Sequence, residues 1–428
     1  MSNKLTRRTF LSGTAAAAAA ASGIASPYVA RAADQEISAL LITSGGFYPK
    51  FWETVTADFK AKTGITVKYD LLEFTPLSSK VVTLGAARSS QYDVYSTHTA
   101  LIESYFNYFD PMNSYFSDSE LAEFFPVTLK YLTNPRTGDI AAIPRNVDAR
   151  VQFYRKDIYD EHGLKPAVTW EDLVDVSQKI TGDGHYGLVV PGQGDPAQRT
   201  FSDLLWQAGG LWVDENNKPS FNSAEGIKAL TYYRDLIHKY KVVPPNAVTF
   251  QWNENSSQFT SGTCYDTINW PGSFASFNDP EMSKVVDKWS TAPHVRDKEA
   301  ISCAVSHALA LNSQSKRKDP AVEFIKFAVG PEVQQVQFDE FSNFPSLQST
   351  AKNVVAAATG AKALWLDQLQ TTIANGKEWP KLPGFSKVST LMYSCIESAL
   401  SDQATPADAL NATAADALEA MQRAGAYD

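Results

Sequence analysis

Most of the chain alternates short apolar strands with amphipathic helices, and this alternation restricts the fold more than any other feature. Residues 37–42 form an apolar run, followed by a glycine turn and a helix that would bury Phe51. Residues 65–72 then resemble a second strand, the segment up to Arg88 a second helix, and residues 92–96 a third strand. This order is typical of an α/β fold built on a parallel sheet.

The same alternation continues downstream. Residues 151–154 and 186–190 are predicted strands, and a helix is predicted to begin after Thr169, with Asp172 as its capping-box partner. Asn222 and Glu225 have the same spacing and predict a second capping box, at residues 222–225. The region after Pro320 is predicted to be mostly helical.

Residues 1–32 have the features of a twin-arginine export signal. Arg7 and Arg8 precede an alanine-rich stretch, and Ala32 ends an A-x-A cleavage site. The stretch is too short and too interrupted to span a membrane, which disfavours an N-terminal anchor. We therefore expect export by the twin-arginine machinery to the periplasm, cleavage near Ala32, and a protein that arrives folded and diffuses freely.

The net charge and the length of the chain restrict the possible partners and the domain organisation. Removal of residues 1–32 takes away four basic and no acidic residues, so the formal charge changes from −9 to −13 and 396 residues remain. An acidic chain of this kind is a poor partner for nucleic acid. The length and the 44% hydrophobic content suffice for two lobes with separate cores.

Cysteine and histidine patterns give no support for a metal site. Cys264, Cys303 and Cys395 are far apart in the sequence, and their odd number leaves at least one thiol unpaired. The six histidines form no HxxxH or HxH pair. We expect neither a metal nor a cofactor.

Two glycine patterns keep an enzymatic alternative open. Residues 182–187 fit GxGxxG but follow a helix and precede a strand, the reverse of a dinucleotide site, so they predict a turn. Residues 192–197 follow a strand and precede a helix, which is the order that a dinucleotide site needs. Pro191 and Pro196, which stiffen the turn, and the negative charge of Asp195 nevertheless disfavour binding of a pyrophosphate. An exported NADP-dependent oxidoreductase, or a carbohydrate hydrolase using two carboxylates, therefore remains the alternative; GxSxG is absent.

Tryptophans are frequent near loop and element-end signals. Aromatic faces pack on the C–H faces of sugars, although each single tryptophan is more often a core residue. Trp270, beside Pro271 and Gly272, is the best candidate for a ligand contact. The tryptophans concerned are Trp206, Trp212, Trp252, Trp270, Trp289 and Trp379.

Several blocks, in this order, resemble the extracellular solute-binding proteins of sugar-importing ABC transporters, the family related to maltose-binding protein. The blocks are FYRKD at residues 153–157, TWEDL at 169–173, TINWPG at 267–272, AVEFIKF at 321–327 and FP at 344–345. The order and spacing of these blocks carry the resemblance, which covers nearly the whole chain after residue 32.

The resemblance implies a type II-like periplasmic binding-protein fold, with two lobes, a hinge and a ligand cleft between the lobes. The N-terminal lobe would comprise residues 33–143 and 300–344, and the C-terminal lobe residues 144–299 and 345–428. The expected function is capture of a sugar, polyol or sugar derivative and its delivery to the permease subunits of an ABC importer. We expect a monomer without catalytic activity.

Candidate ligand-binding residues follow from this plan, because strand ends and crossing segments border the cleft. Arg145 and Arg150, near the hinge, are interpreted either as partners of an acidic or sulfonated sugar or as ion-pair partners of Asp148; the ion pair is favoured. The candidate set is Ser44, Gly45, Phe47, His98, Asn146, Asp148, Gln193, Trp270, Asn343 and Trp379.

Overall fold

A computed structural model describes residues 36–43 and 48–427. The first part of the chain forms an alternating α/β unit. Its elements are β1 (Glu36–Ile42), α1 (Tyr48–Thr63), β2 (Thr66–Leu72), α2 (Phe74–Ala86), β3 (Val94–His98), α3 (Asp118–Ala122), α4 (Pro126–Leu132) and β4 (Ile143–Pro144), with 3₁₀ turns at Ile102–Tyr105 and Met112–Ser114.

The middle of the chain is richer in helix. Its elements are β5 (Asp148–Ala149), β6 (Val151–Tyr154), α5 (Lys156–Glu161), α6 (Trp170–Ile180), α7 (Gly194–Gln207), α8 (Ala224–His238), a 3₁₀ turn at Pro245–Thr249, α9 (Trp252–Thr260), β7 (Asp266–Asn269), α10 (Ser273–Asn278), β8 (Ser290–Ala292), β9 (Ala304–Val305) and β10 (His307–Leu311). The remainder is helical, with α11 (Lys318–Ala328), α12 (Pro331–Phe341), α13 (Gln348–Ala357), α14 (Gly360–Ala374), α15 (Phe385–Leu400) and α16 (Pro406–Arg423).

The first lobe is built on a five-stranded sheet in the order β2-β1-β3-β10-β4. β1 pairs in parallel with β2 and β3, while β10 is antiparallel to β3 and β4. Most of β1 is buried, as expected for a parallel strand covered by helices on both faces. Phe59 of α1 meets Phe324 of α11 edge to face at 5.2 Å, which closes one face of this core.

The second lobe contains the antiparallel sheet β7-β6-β8 and most of the helices. Residues 186–190 run beside β7 but make only isolated parallel bridges, at Tyr186 and Val189. Its largest core includes Trp206 and Trp212, and α15 packs there against α7 and α16.

Short segments cross between the lobes. β5 pairs with β9, with Asp148 opposite Val305, and this two-stranded ribbon lies in the chain between the strands of the two larger sheets. Further along, Val333 and Leu347 pack in the first core, whereas Phe344 packs in a core of the second lobe. Two lobes with separate cores, as the sequence predicted, are therefore joined by several crossings.

Most predicted elements are confirmed, and two details are wrong. The capping box of α6 forms as predicted, but the cap of α8 is Ser223 rather than Asn222, and no reciprocal bond from residue 225 accompanies it. The strand predicted at 186–190 is reduced to isolated bridges at Tyr186 and Val189.

The export signal predicted at residues 1–32 lies outside the described residues. In the described part of the chain, no helix combines the length and apolarity needed to cross a membrane. The three cysteines are all buried and unpaired with one another.

Candidate functional site

The carboxyl end of β3 and the start of β10 form the first wall of the site. His98 and His307 lie directly opposite each other in the antiparallel register, and their ring centroids are 4.8 Å apart. Phe74 packs edge-on against His98 at 5.5 Å. Burial, reinforced by nearby positive charges, holds the pKa of both imidazoles well below the usual range, so both rings are neutral at neutral pH.

Arg145 lies immediately after β4 and is 1% exposed. Its guanidinium lies over the rings of Tyr48, Phe51 and Trp52 at 4.8, 5.5 and 5.4 Å, and Nη2 donates to the Tyr48 hydroxyl at 2.5 Å. Cation–π contacts offset part of the desolvation of this charge. Its Nε and Nη1 atoms have no hydrogen-bond partner.

Asp148, in β5, is also buried. Asn146 donates to Asp148 Oδ2 at 2.7 Å and accepts from the backbone N–H of His307 at 3.0 Å, which fixes both side chains beside the first wall. Asp148 Oδ1 has no hydrogen-bond partner. Burial raises the pKa of Asp148 to about 7, against the opposing effects of Arg145 and Asn146.

The second wall is centred on Arg199, in the second turn of α7. Asp195, one turn earlier, binds its Nε at 3.2 Å, and Glu378 lies 3.6 Å from its Nη1. The guanidinium lies 4.3 Å from the centre of the Trp379 ring and 5.9 Å from that of Trp270. Neither Nη atom makes a hydrogen bond.

The two walls touch each other. The Thr99 hydroxyl, just beyond β3, donates to Glu378 Oε2 at 2.7 Å and accepts from the backbone N–H of Ser306 at 3.2 Å. Because Thr99 belongs to the first lobe and Glu378 borders the core of the second, this bond joins the lobes. Arg199 lies 3.6 Å from the same Glu378 carboxylate, and the positive charges of Arg199 and Lys381 lower the pKa of His98.

A cavity of about 610 Å³ opens where α4 faces the segment after α14. Tyr131, Trp206, Trp212 and Trp379 contribute most of its aromatic lining, and Lys381 also lines it. The Lys381 ammonium nitrogen is buried without a hydrogen-bond partner, and burial lowers its pKa to about 8. A mostly apolar cavity with a few converging polar groups is typical of a small-molecule site.

Buried polar atoms without a partner are rare in folded proteins, because each one loses its hydrogen bonds to water. Some of the unpartnered atoms of the described residues lie near the junction of the lobes, where a polar ligand with several hydrogen-bonding groups would satisfy them. Those near the junction are Arg145 Nε and Nη1, Asp148 Oδ1, Arg199 Nη1 and Nη2, Ser306 Oγ, His307 Nδ1, Asn343 Nδ2 and Lys381 Nζ.

Comparison with known proteins identifies the family. The sequence model of the bacterial extracellular solute-binding proteins matches residues 43–335, more than half of the chain. The chain belongs to this family. The fold and the function of solute binding, both predicted from the sequence, are thereby confirmed.

Individual relatives agree with this assignment. The mannitol-binding protein of Pseudomonas aeruginosa is 26% identical over 385 residues, which cover 84% of this chain and 87% of the relative. The structure of a solute-binding protein from Agrobacterium vitis with bound D-mannitol is 26% identical, with a TM-score of 0.79 over 91% of this chain and 99% of that one. Maltose-bound MalE3 from T. maritima has a TM-score of 0.82 at 24% identity, over 89% and 98% of the two chains, and shares the fold.

The structure brings together some of the site residues predicted for this solute-binding protein. His98, Asn146 and Asp148 lie in the first wall, and Trp379 lies in the second. Trp270 contributes to the second wall through Arg199 and packs edge to face against Trp252 at 5.5 Å.

The other predicted residues lie at the margin or outside the described part. Asn343 approaches the Trp270 loop, since a Cβ on Gly272 would lie 3.5 Å from its Oδ1. Gln193 caps α7, and its side chain contacts Gln251 at 3.4 Å. Ser44, Gly45 and Phe47 fall outside the described residues. The sequence prediction omitted Arg199, Glu378, Lys381, His307 and Thr99 as site residues.

The favoured ion pair of the hinge arginines with Asp148 is wrong. Arg150 instead pairs with Asp203 at 2.5 Å, and both side chains are 1% exposed. Asp203 also accepts from the backbone N–H of Cys303 at 2.6 Å and contacts His294 at 2.9 Å. This network belongs to the interior of the second lobe, and among the ion pairs of the described chain none joins Asp148 to an arginine.

The loop that kept the dinucleotide alternative open has no free N–H groups at its start. The backbone N–H groups of Gly192 and Gln193 both donate to Phe250, and that of Gly194 donates to Glu397 at 3.1 Å. A pyrophosphate site needs such groups free at the helix N-terminus. The described residues also contain no group of three or more His, Cys, Asp or Glu side chains arranged to hold a metal.

Proposed function

We propose that this protein captures a sugar, a polyol or a sugar derivative between its two lobes and delivers it to the permease subunits of an ABC importer. The family assignment supports solute capture, and the bound ligands named for its relatives, D-mannitol and maltose, favour a carbohydrate. Binding would stabilise the closed form in proportion to its higher affinity for that form, and the closed form would dock on the permease.

One observation carries this proposal. Residues from both lobes, among them Arg145, Asp148, Arg199 and His307, keep unpartnered donors or acceptors near the junction, and the unpartnered Lys381 ammonium also lines the aromatic cavity of about 610 Å³. A polyhydroxylated ligand satisfies such groups because each hydroxyl both donates and accepts, while ring faces pack against its C–H groups. This arrangement needs no nucleophile and no broken bond, so we propose a binding protein without catalytic activity.

The ligand-binding set that we propose keeps the sequence candidates and adds the residues of the two walls. We likewise propose the lobe boundaries predicted from the sequence, with the N-terminal lobe at 33–143 and 300–344 and the C-terminal lobe at 144–299 and 345–428; Cys303 and Phe344, near the limits of the second N-terminal segment, belong to crossings that pack in cores of the second lobe. The proposed ligand-binding residues are Ser44, Gly45, Phe47, His98, Asn146, Asp148, Gln193, Trp270, Asn343 and Trp379, together with Thr99, Arg145, Arg199, His307, Glu378 and Lys381.

The proposed route to the periplasm is the twin-arginine pathway, with cleavage near Ala32. Arg7 and Arg8, followed by the alanine-rich stretch, support it. We propose that the mature protein is a monomer without cofactor, because one copy supplies both walls of the site. Replacement of both arginines by lysine should leave the precursor in the cytoplasm, as measured by cell fractionation.

A melting screen tests the binding function. Purified protein is expected to gain thermal stability with at least one sugar or polyol of a panel, since a ligand that binds only the folded state stabilises it. The same samples should show no nicotinamide absorbance and no sugar turnover. Bound nucleotide or hydrolysis products would favour the oxidoreductase or the hydrolase instead.

A further inference from the structure

Three cationic side chains from separate parts of the chain converge on the site. Arg145 follows β4, Arg199 lies in α7, and Lys381 lies in the segment before α15. The charges of Arg145, Arg199 and Lys381 all act on His98, and both arginines act on His307. Each of the three cations has at least one buried N–H group without a hydrogen-bond partner.

Acidic groups near these cations balance much of their charge but leave several of their N–H groups without a hydrogen bond. Asp195 occupies one edge of the Arg199 guanidinium, and Glu378 faces the other edge at 3.6 Å. Burial raises the pKa of both Asp148 and Glu103 to about 7, so neither carries a full negative charge at neutral pH. The junction of the lobes nevertheless has five unpartnered nitrogen atoms on these three cations, against one unpartnered carboxylate oxygen, that of Asp148.

We propose that the ligand is an acidic carbohydrate, a sugar or polyol bearing a carboxylate, whose anionic group binds between Arg199 and Lys381. This inference rests on the proposed function and specifies its substrate class. Carboxylate oxygens only accept hydrogen bonds, so they match the Nη groups of Arg199 and the ammonium of Lys381. The hydroxyl groups would then reach Asp148 and the first wall.

The geometry favours a carboxylate over a phosphate. Both Nη atoms of Arg199 are unpartnered, and a planar guanidinium presents such a pair to the two oxygens of a carboxylate. A phosphate dianion would bring a second negative charge close to the carboxylates of Glu378 and Asp195, which already face the same guanidinium. A singly charged ligand meets less repulsion.

Matched pairs of compounds test this inference by calorimetric titration of the purified protein. The pairs are D-gluconate with D-glucitol, D-mannonate with D-mannitol, and D-galacturonate with D-galactose, and sn-glycerol 3-phosphate is the phosphate probe. In at least one pair the acid should bind at least about tenfold more tightly than its neutral partner. The preference should decrease at high salt, which screens the attraction.

Lys381→Met is the decisive variant. It should reduce affinity for the acid by about tenfold or more relative to affinity for the neutral partner, so that the preference is lost. Lys387→Met removes the same charge from an exposed position of α15 and should keep the preference. Since Lys381 has no hydrogen-bond partner, its replacement should not impair folding. The second variant is Arg199→Lys, which keeps the positive charge but loses the planar pair of N–H donors.

The outcomes separate this inference from the proposed function. Tighter binding of the neutral member in every pair would overturn the acidic ligand while leaving sugar or polyol capture intact. A preference for the acid that survives in Lys381→Met would overturn the assigned anion site. Preference for the phosphate probe over all carboxylates would overturn the choice of carboxylate. If neither the acids nor their neutral partners bind, both proposals are overturned.

Discussion

At the residue scale, the carboxyl group of Asp148 lies inside the protein with one oxygen unpartnered, which is unfavourable for its charged form. Burial raises its pKa from 3.8 to about 7. Between these pH values the folded protein keeps a proton that the unfolded chain has lost, so this group's contribution to the free energy of unfolding decreases as pH rises towards 7.

Asp148→Asn should therefore increase the free energy of unfolding of the ligand-free protein at pH 8, by about 1–3 kcal/mol. The gain should shrink by more than half at pH 5, where the folded protein already holds the proton. Urea unfolding at both pH values measures it, with exposed Asp416→Asn as the control. Ligand affinity should fall in the same variant, and an equal gain at both pH values would contradict the buried charge.

Trp379 links packing to the second wall. Its indole N–H donates to Ser202 at 2.8 Å while its face lies against Arg199. Trp379→Phe keeps an aromatic face and loses one hydrogen bond, so the free energy of unfolding should fall by about 1 kcal/mol with a small change in ligand affinity. Trp379→Ala should weaken ligand binding by about tenfold or more in titration calorimetry, because Arg199 loses the ring that positions it.

At the element scale, the capping box at Thr169 makes the start of α6 a local property of the sequence. The Thr169 hydroxyl accepts from the N–H of Asp172, and the Asp172 carboxylate accepts from the N–H of Thr169. Thr169→Ala should lower the free energy of unfolding by about 1 kcal/mol. Thr54→Ala, in the exposed middle of α1, should be neutral or slightly stabilising because alanine is the better helix former. Equal losses in the two variants would refute the capping role.

Local signals of this kind explain which elements the sequence could predict. β6 has the predicted bounds, and α6 begins where its capping box lies, since periodicity and caps act within a few residues. At the cap of α8, Asn222 and Ser223 both suit the position, and Asn222 instead donates to Asn411 at 2.8 Å, a contact 189 residues away. Such competition between adjacent cap residues is decided by tertiary packing.

Strand ends were the main sequence signal for residues of the candidate site. His98, at the end of β3, was predicted by that rule and lies in the first wall, and its role in ligand binding stays a prediction. Arg199 and Lys381 were not predicted, because one lies inside a helix and the other in a proline-rich loop, and only the fold lets their charges act on His98. The one available signal for Lys381 was its place in Trp379-Pro380-Lys381-Leu382-Pro383, beside a tryptophan already considered as a candidate.

At the scale of the whole molecule, the bond between Thr99 and Glu378 ties the first lobe to the second across the site. Both partners are buried, so an opened form would return them to water and gain back their hydration. We expect closure to be a balance in which this bond and a bound ligand favour the closed form over the open one.

Thr99→Val should shift that balance towards the open form. Ligand affinity should fall by about tenfold, mainly through faster dissociation, because the closed complex loses a hydrogen bond to a carboxylate and leaves Glu378 Oε2 short of a partner. Thr97→Val, on the same strand, is the matched control, since the Thr97 hydroxyl has no hydrogen-bond partner and its loss should be neutral. Small-angle scattering should show ligand-induced compaction in the native protein and in Thr97→Val, and less compaction at equal ligand concentration in Thr99→Val. Equal compaction and equal affinity in the two variants would mean that the Thr99 bond does not control closure.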